Sequence, residues 1–288
     1  MQTYNTIIIG GGPAGISAAL YLVRAGQQVL VVENGAGALA RAHKIDNIYG
    51  SALSGAELYA KGLKQAAELG VTVLHSEVIG LEYFDSYVIS LHGSDRQYTA
   101  PTVILATGNK NITLNLPGLL QLEGKGISYC AVCDGFFFRK KAVAVLGAGP
   151  FALHEAAYLQ HLASSVTVLT NGEDGALAEA AGFTVNTERL TRVEGDAKLA
   201  AISFADGSRL EVDGLFIALG TADSTDMARK LGAELNGRFI KINEDGATNI
   251  PGLFAAGDCT GGLKQVAKAV HEGAKAGLAA LKFIREHK

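Results

Sequence analysis

The sequence predicts an α/β fold of two three-layer, doubly wound units, the second inserted in the first, and three observations carry the prediction. A β-branched strand runs into Gly10-Gly11-Gly12-Pro13-Ala14-Gly15. A second apolar strand runs into Gly147-Ala148-Gly149-Pro150-Phe151-Ala152. Strands over 102–108 and 252–258 both end in short Gly-bearing strings that suit the first unit, so its parts flank the second. Strand, Gly-rich turn and helix in that order make a Rossmann-like dinucleotide-binding domain. The expected division is 1–112 with 242–288 for the first domain and 113–241 for the second.

The bulk numbers agree with two medium domains. A chain of 288 residues with 48% apolar and 18% charged residues supports a sizeable core. With 25 Lys and Arg against 28 Asp and Glu, no basic excess exists to neutralise phosphates, which argues against a nucleic-acid partner. The start of the chain lacks a signal-peptide pattern and no uncharged apolar run reaches about 18 residues, so a cytoplasmic protein without a membrane span is expected. Three cysteines, two of them close together, fit a reducing compartment.

In the first unit, Tyr4 to Ile9 reads as a buried strand. Gly10 permits the tight turn, Gly12 lets backbone amides approach a pyrophosphate, and Gly15 lets the helix pack closely on the strand. Pro13 suits the first helical turn, where its missing N–H costs nothing, and Ala14 follows it in the candidate phosphate-binding set. Ile16, Ala19, Leu20 and Val23 mark an apolar helix face that Gly26 ends. Val29-Leu30-Val31-Val32 is the next strand. Glu33 stands 18 residues after Gly15, where a ribose-binding carboxylate belongs, a solvated strand-end acid being the other reading.

The second unit repeats the scaffold with Ala142–Leu146 as strand, a helix from about Phe151 to Leu162, and Val166–Leu169 as the following strand. Its chemistry differs. The next turn is Thr170-Asn171-Gly172-Glu173-Asp174, where an NADP site needs an Arg, and its carboxylates would repel a 2′-phosphate. Pro150 and Phe151 are expected to crowd the loop that a pyrophosphate would approach. Only a 2′-hydroxyl, as in NAD, suits Glu173 or Asp174.

Just ahead of this unit lies Ser128-Tyr129-Cys130-Ala131-Val132-Cys133-Asp134-Gly135. A C-x-x-C pair can close a small disulfide and exchange through a thiolate. The same spacing fits half a zinc site or two inert core thiols, although the remaining cysteine is only Cys259 and no H-x(3 to 5)-H pair follows. Cys259 reads as a small core residue, and no metal site is expected.

The Gly10–Gly15 turn, Ala106-Thr107-Gly108, Cys130-Ala-Val-Cys133-Asp134-Gly135 and Ala255-Ala256-Gly257-Asp258 together resemble the low-molecular-weight thioredoxin reductase family over nearly the whole chain. The chain lacks that family's basic H-R-R-type motif after the second Rossmann unit. With Gly257-Asp258-Cys259-Thr260-Gly261 and Lys268-Ala269-Val270-x-Glu272-Gly273, it looks more like the ferredoxin-dependent flavin thioredoxin reductases, which do not use NADPH. The resemblance implies FAD as cofactor, thioredoxin as disulfide substrate, ferredoxin as electron donor and a homodimer. It implies that Cys133 lies against the flavin, that Cys130 attacks thioredoxin, and that Asp134 moves the proton. Asp258 would hold a ribityl hydroxyl, a cap on the next helix being its other reading, and Asn47, which also reads as a turn residue before Gly50, would with Val78, Ala106, Thr107, Gly108, Gly257, Gln265 and Val266 join Gly10, Gly12, Pro13, Ala14, Gly15 and Glu33 around FAD. The family's G-G-Q-L stretch is missing from Ala36-Gly37-Ala38-Leu39-Ala40, so no contacts transfer there. Gly108-Asn109-Lys110 and Gly237-Arg238 are candidate hinges.

Such an electron path is downhill without a nicotinamide. A plant-type ferredoxin near −400 mV and a thioredoxin near −270 mV leave roughly 130 mV, about 6 kcal/mol for two electrons.

Overall fold

Thr6–Ile9 (β1) is buried at every residue and runs into the Gly-rich turn that begins helix α1, Pro13–Arg24. The computed structural model describes residues 1–108, 114–220 and 223–287. Two compact units emerge, one from Met1–Lys110 with Asp223–Lys288 and the other from Asn111–Ala222.

In the first unit, α1 leads to β2 (Val29–Glu33), α2 (Gly55–Glu68), β3 (Thr72–His75) and, beyond an antiparallel sheet over residues 78–100, to β4 (Thr102–Leu105). Helix α2 starts at a capping box, in which the Ser54 hydroxyl accepts the Glu57 N–H and Glu57 accepts the Ser54 N–H.

The second unit contributes β5 (Ile127–Ser128), α3 (Ala131–Asp134), β6 (Ala142–Leu146), α4 (Pro150–Gln160), β7 (Ser165–Leu169), β8 (Thr184–Asn186) and β9 (Gly214–Ile217). Its sheet is parallel in the order β5-β9-β6-β7-β8, with the strand before the Gly-rich turn in the middle.

The chain then returns to the first unit through α5 (Ser224–Lys230), β10 (Leu253–Ala255) and α6 (Val266–Glu286). The first sheet is parallel in the order β10-β4-β1-β2-β3, again with the Gly-turn strand central. Both faces of its central strands are covered, as a parallel sheet requires.

Helix α6 lies so close to α1 that a Cβ on Gly273 would stand 2.1 Å from the Ala14 carbonyl oxygen, and one on Gly277 would stand 2.8 Å from that of Ala18. Small residues at 269, 273, 276, 277 and 280 make that approach possible. The buried face of α1 is accordingly wider than the stripe expected from sequence. Ala14 through Ala19 and Leu22 are buried, whereas Leu20 and Val23 lie at its margin.

The second domain boundary falls at 222/223, not at 241/242. The reason is chemical: Ser224 and Thr107 hydrogen-bond reciprocally, which ties α5 to the end of β4. Gly237-Arg238 is the turn between strands Leu235–Asn236 and Phe239–Ile240, not a hinge between units. Of the other expected hinge, Asn109 and Lys110 lie outside the described residues, as do the expected boundary residues 112 and 113.

Candidate functional site

The first unit holds a cradle built by the Gly10–Gly15 turn. Gly10 has φ +116°, and a Cβ there would stand 2.3 Å from the Ala106 carbonyl oxygen; one on Gly15 would stand 1.9 Å from that of Gly10. Gly12, by contrast, faces open space, since a Cβ there meets nothing within 4 Å. Beside it, Pro13 opens α1, and the amides of Ala14 and Gly15 sit in the first turn, where no upstream helical carbonyl reaches them. That combination, at the N-terminus of a 12-residue helix, suits an anion such as a pyrophosphate.

Glu33 stands beside this turn. It is buried, and its side chain lies against Gly11, whose added Cβ would be 2.7 Å from that of Glu33. Its carboxylate accepts the Gly35 N–H (2.8 Å) and the Tyr59 hydroxyl, and lies 2.6 Å from His75 Nδ1. With three of about four lone-pair directions used, one remains for a hydroxyl. Tyr59 and His75 are partners that sequence spacing did not show.

Farther along the unit, Asn47 Nδ2 donates to Gln265 Oε1 at 2.8 Å, bringing together two residues 218 apart in sequence. Gln265 caps α6 and Val266 is its first residue, so the amides of a 21-residue helix begin there. Asp258 is half-buried, and its carboxylate takes no hydrogen bond among the described residues. Gly257 and Gly261, at φ +88° and +83°, bend the chain on either side of it. Lys268 fastens this loop, its ammonium donating to the carbonyls of Gly257 (2.7 Å) and Gly261 (2.6 Å) and to Thr260 Oγ1 (2.9 Å) while pairing with Glu272 at 2.9 Å. Glu272 in turn accepts the Gly257 N–H and the Thr260 hydroxyl.

Other members of the expected set have different surroundings. Thr107 spends its N–H and hydroxyl on Ser224, Ala106 is buried against Gly10, Gly108 adopts φ +77°, and Val78 is buried at the start of the antiparallel sheet. Cys259 is a core thiol within reach of the Leu105 and Ala256 carbonyls, and burial pushes its pKa up to about 12. The buried carboxylate, the open space at Gly12 and the bare Asp258 together fit FAD.

The second unit carries the redox pair. Cys130 and Cys133 are joined in a disulfide, the redox option among those the spacing left open. Their Cα atoms are 5.3 Å apart. The Cys133 N–H points at Cys130 Sγ (3.1 Å). Two side chains missed in the sequence hold the turn. The buried Ser128 hydroxyl accepts the Cys130 N–H (3.1 Å) and donates to Asp134 Oδ2 (2.6 Å). Buried Glu155, from α4, accepts the Ala131 N–H at 2.8 Å. A lone acid on an otherwise apolar stripe of Phe151, Ala152, Ala156 and Leu159 was the signal for Glu155. Cys130 is buried whereas Cys133 is exposed, the reverse of the exposure expected for a substrate-facing Cys130.

The second Gly-rich turn is better preserved than expected. Gly149 caps α4 with φ −94° and ψ 178°, close to Gly12 with φ −75° and ψ −176°, and Pro150 takes the position of Pro13. Phe151 is 1% exposed and packs into the core, so it does not crowd the phosphate loop. Glu173 and Asp174 are exposed after β7. One cation reaches this edge from elsewhere: a Cβ on Gly172 would lie 3.0 Å from Arg189 Nε.

Two Rossmann-like units, one shaped for FAD and one bearing a redox disulfide, define a flavoprotein disulfide oxidoreductase. The family model for pyridine nucleotide-disulphide oxidoreductases matches residues 4–273. A thioredoxin reductase of Listeria monocytogenes is 33% identical over 100% of this chain and 96% of its own length. The atypical thioredoxin reductase of Desulfovibrio vulgaris Hildenborough is 41% identical, with a TM-score of 0.92 over 98% of each chain. A ferredoxin-flavin thioredoxin reductase of Clostridium acetobutylicum is 31% identical, with a TM-score of 0.74 over 99% of each. The chain belongs to the low-molecular-weight thioredoxin reductase family, whose members bind FAD.

Proposed function

We propose that this protein reduces the disulfide of a thioredoxin through Cys130 and Cys133, with reduced ferredoxin as electron donor. The observation that carries the donor is the edge after β7. There Glu173 and Asp174 stand exposed with a single guanidinium, that of Arg189, against Gly172, and two carboxylates to one cation disfavour the 2′-phosphate of NADPH. Likeness to the Clostridium protein supports the same reading.

FAD would be held by the Gly10–Gly15 turn at its pyrophosphate, by Glu33 at a ribose and by Asp258 at the ribityl chain, and when bound it supplies the electron carrier between donor and disulfide. Two electrons break the Cys130–Cys133 bond, leaving a thiolate and, after one proton is taken up, a thiol. Asp134, oriented by Ser128, moves that proton. The Cys130 thiolate, once uncovered, attacks the thioredoxin disulfide. Cys133 then resolves the mixed disulfide, re-forming the Cys130–Cys133 bond and releasing the thioredoxin dithiol. A homodimer in the cytoplasm completes this reading.

A second reading, NAD(P)H as donor, draws on the intact geometry at Gly147–Pro150 and on Arg189. Turnover of a thioredoxin disulfide is measured with reduced ferredoxin, NADPH or NADH as sole donor. Turnover with ferredoxin alone is expected, and none with ferredoxin but rapid turnover with NADPH or NADH would replace the first reading by the second. With Cys133→Ser, thioredoxin should be trapped on Cys130; trapping only in Cys130→Ser would reverse the two roles.

A further inference from the structure

Burying a carboxylate is costly, and natural chains keep one in a core when it is paired or put to use. Glu155 is 1% exposed, on the buried face of α4, and the group it grips is the N–H of Ala131, the residue between Cys130 and Val132. Neither strand of the sheet that packs against α4, β6 or β7, carries a titratable side chain. Among the described residues, the ionisable groups on these packed elements are Cys130, Cys133 and Asp134 of the redox turn, and His154 and Tyr158 of α4 itself. Asp134 is engaged by Ser128, and His154 Nδ1 stands 3.6 Å from Glu155 Oε1.

We infer that Glu155 is a positioning residue of the redox centre that holds the C-x-x-C turn through Ala131 and, by its buried negative charge, biases the pair toward the disulfide. From its carboxylate oxygen to Cys130 Sγ the path is one 2.8 Å hydrogen bond and four covalent bonds, so the two atoms lie within about 8 Å. Across partly buried protein at that separation, a negative charge opposes the opening of the disulfide to thiolate by about tenfold or more. The inference rests on the redox role of the disulfide and not on the identity of donor or thioredoxin.

The test equilibrates the FAD-loaded protein with mixtures of reduced and oxidised dithiothreitol and counts free Cys130 and Cys133 by thiol trapping and mass spectrometry. At about pH 9.5, above the ordinary thiol range, reduced dithiothreitol gives two electrons and one proton to the pair and its second proton to the buffer, closes its own cyclic disulfide and leaves a thiol and a thiolate in place of the Cys130–Cys133 bond. Glu155→Gln keeps an acceptor for Ala131 but removes the charge. Its equilibrium should move about tenfold toward the dithiol, about 30 mV for a two-electron couple, with FAD content unchanged. A purely structural role would leave the Gln variant within twofold of wild type, and that result overturns the inference. Should Glu155→Gln fail to fold, Glu155→Asp, which keeps the charge but withdraws it by one methylene, carries the test. A shift of about threefold in the same direction supports the inference, and an equilibrium within a factor of 1.5 of wild type overturns it. Because dithiothreitol replaces both protein partners, failure of the proposed donor leaves this result unaffected.

Discussion

Replacing Lys268 by Met tests how the loop that carries Asp258 is held. The ammonium and the Glu272 carboxylate have side-chain exposures of only 14% and 20%, and the ammonium also ties down two carbonyls and Thr260. Breaking a buried ion pair costs about 3–5 kcal/mol. Here both partners keep some solvent, and Glu272 retains the Gly257 N–H and the Thr260 hydroxyl, so a loss of about 2–3 kcal/mol is expected. If Asp258 grips the ribityl chain, that loss appears in cofactor affinity as a dissociation constant about 30- to 150-fold higher. Binding of FAD to the apoprotein, followed by fluorescence, gives the number. Lys268→Met with Glu272→Gln removes the stranded charge and should recover at least half of the loss. FAD affinity within twofold of wild type in the single variant would refute the reasoning.

Gly12→Ala and Gly15→Ala should separate binding from folding, since Cβ space is open at Gly12 and closed to 1.9 Å at Gly15. The first should keep its melting temperature and lose FAD; the second should unfold at markedly lower temperature, and identical behaviour would contradict both assignments. Ser128→Ala strips the buried Cys130 N–H of its acceptor and Asp134 of its donor. Stability should fall by about 1–3 kcal/mol, and kcat for disulfide reduction should drop about tenfold with KM for thioredoxin unchanged. Cys259 ionises near its ordinary value of 9.0 when unfolded but at about 12 when folded, because burial penalises the thiolate. The unfolded state therefore loses a proton first as pH rises, so stability falls between those values by at most about 1.4 kcal/mol per pH unit and is unaffected below them. In urea unfolding, the wild type should lose about 2 kcal/mol more than Cys259→Ala between pH 8 and pH 10.5, and equal losses would exclude the buried-thiol account.

Residues that act through backbone geometry were legible in the sequence. Gly10, Gly15, Pro13 and the strands around them read correctly because turn, helix start and β-branched run are each local requirements. Partners supplied by distant segments were not. Glu33 was placed, but Tyr59 and His75, which hold its carboxylate, come from α2 and β3. Ser224 answers Thr107 across 117 residues and draws the segment from Asp223 into the first unit, a pairing that no local pattern shows. Arg189 reaches Gly172 from beyond β8, so the absence of a basic residue within Thr170–Asp174 understated the charge available there. Phe151 follows a Gly-rich turn in sequence, which suggests a loop position, but on α4 it faces the core.

Anaerobic mixing of the FAD-loaded protein with each donor, followed by the visible flavin absorbance, tests the central claim most directly. The account predicts that NADPH and NADH leave the flavin yellow while reduced ferredoxin bleaches it and opens Cys130–Cys133. Rapid bleaching by NADPH or NADH, with no response to reduced ferredoxin, would contradict it.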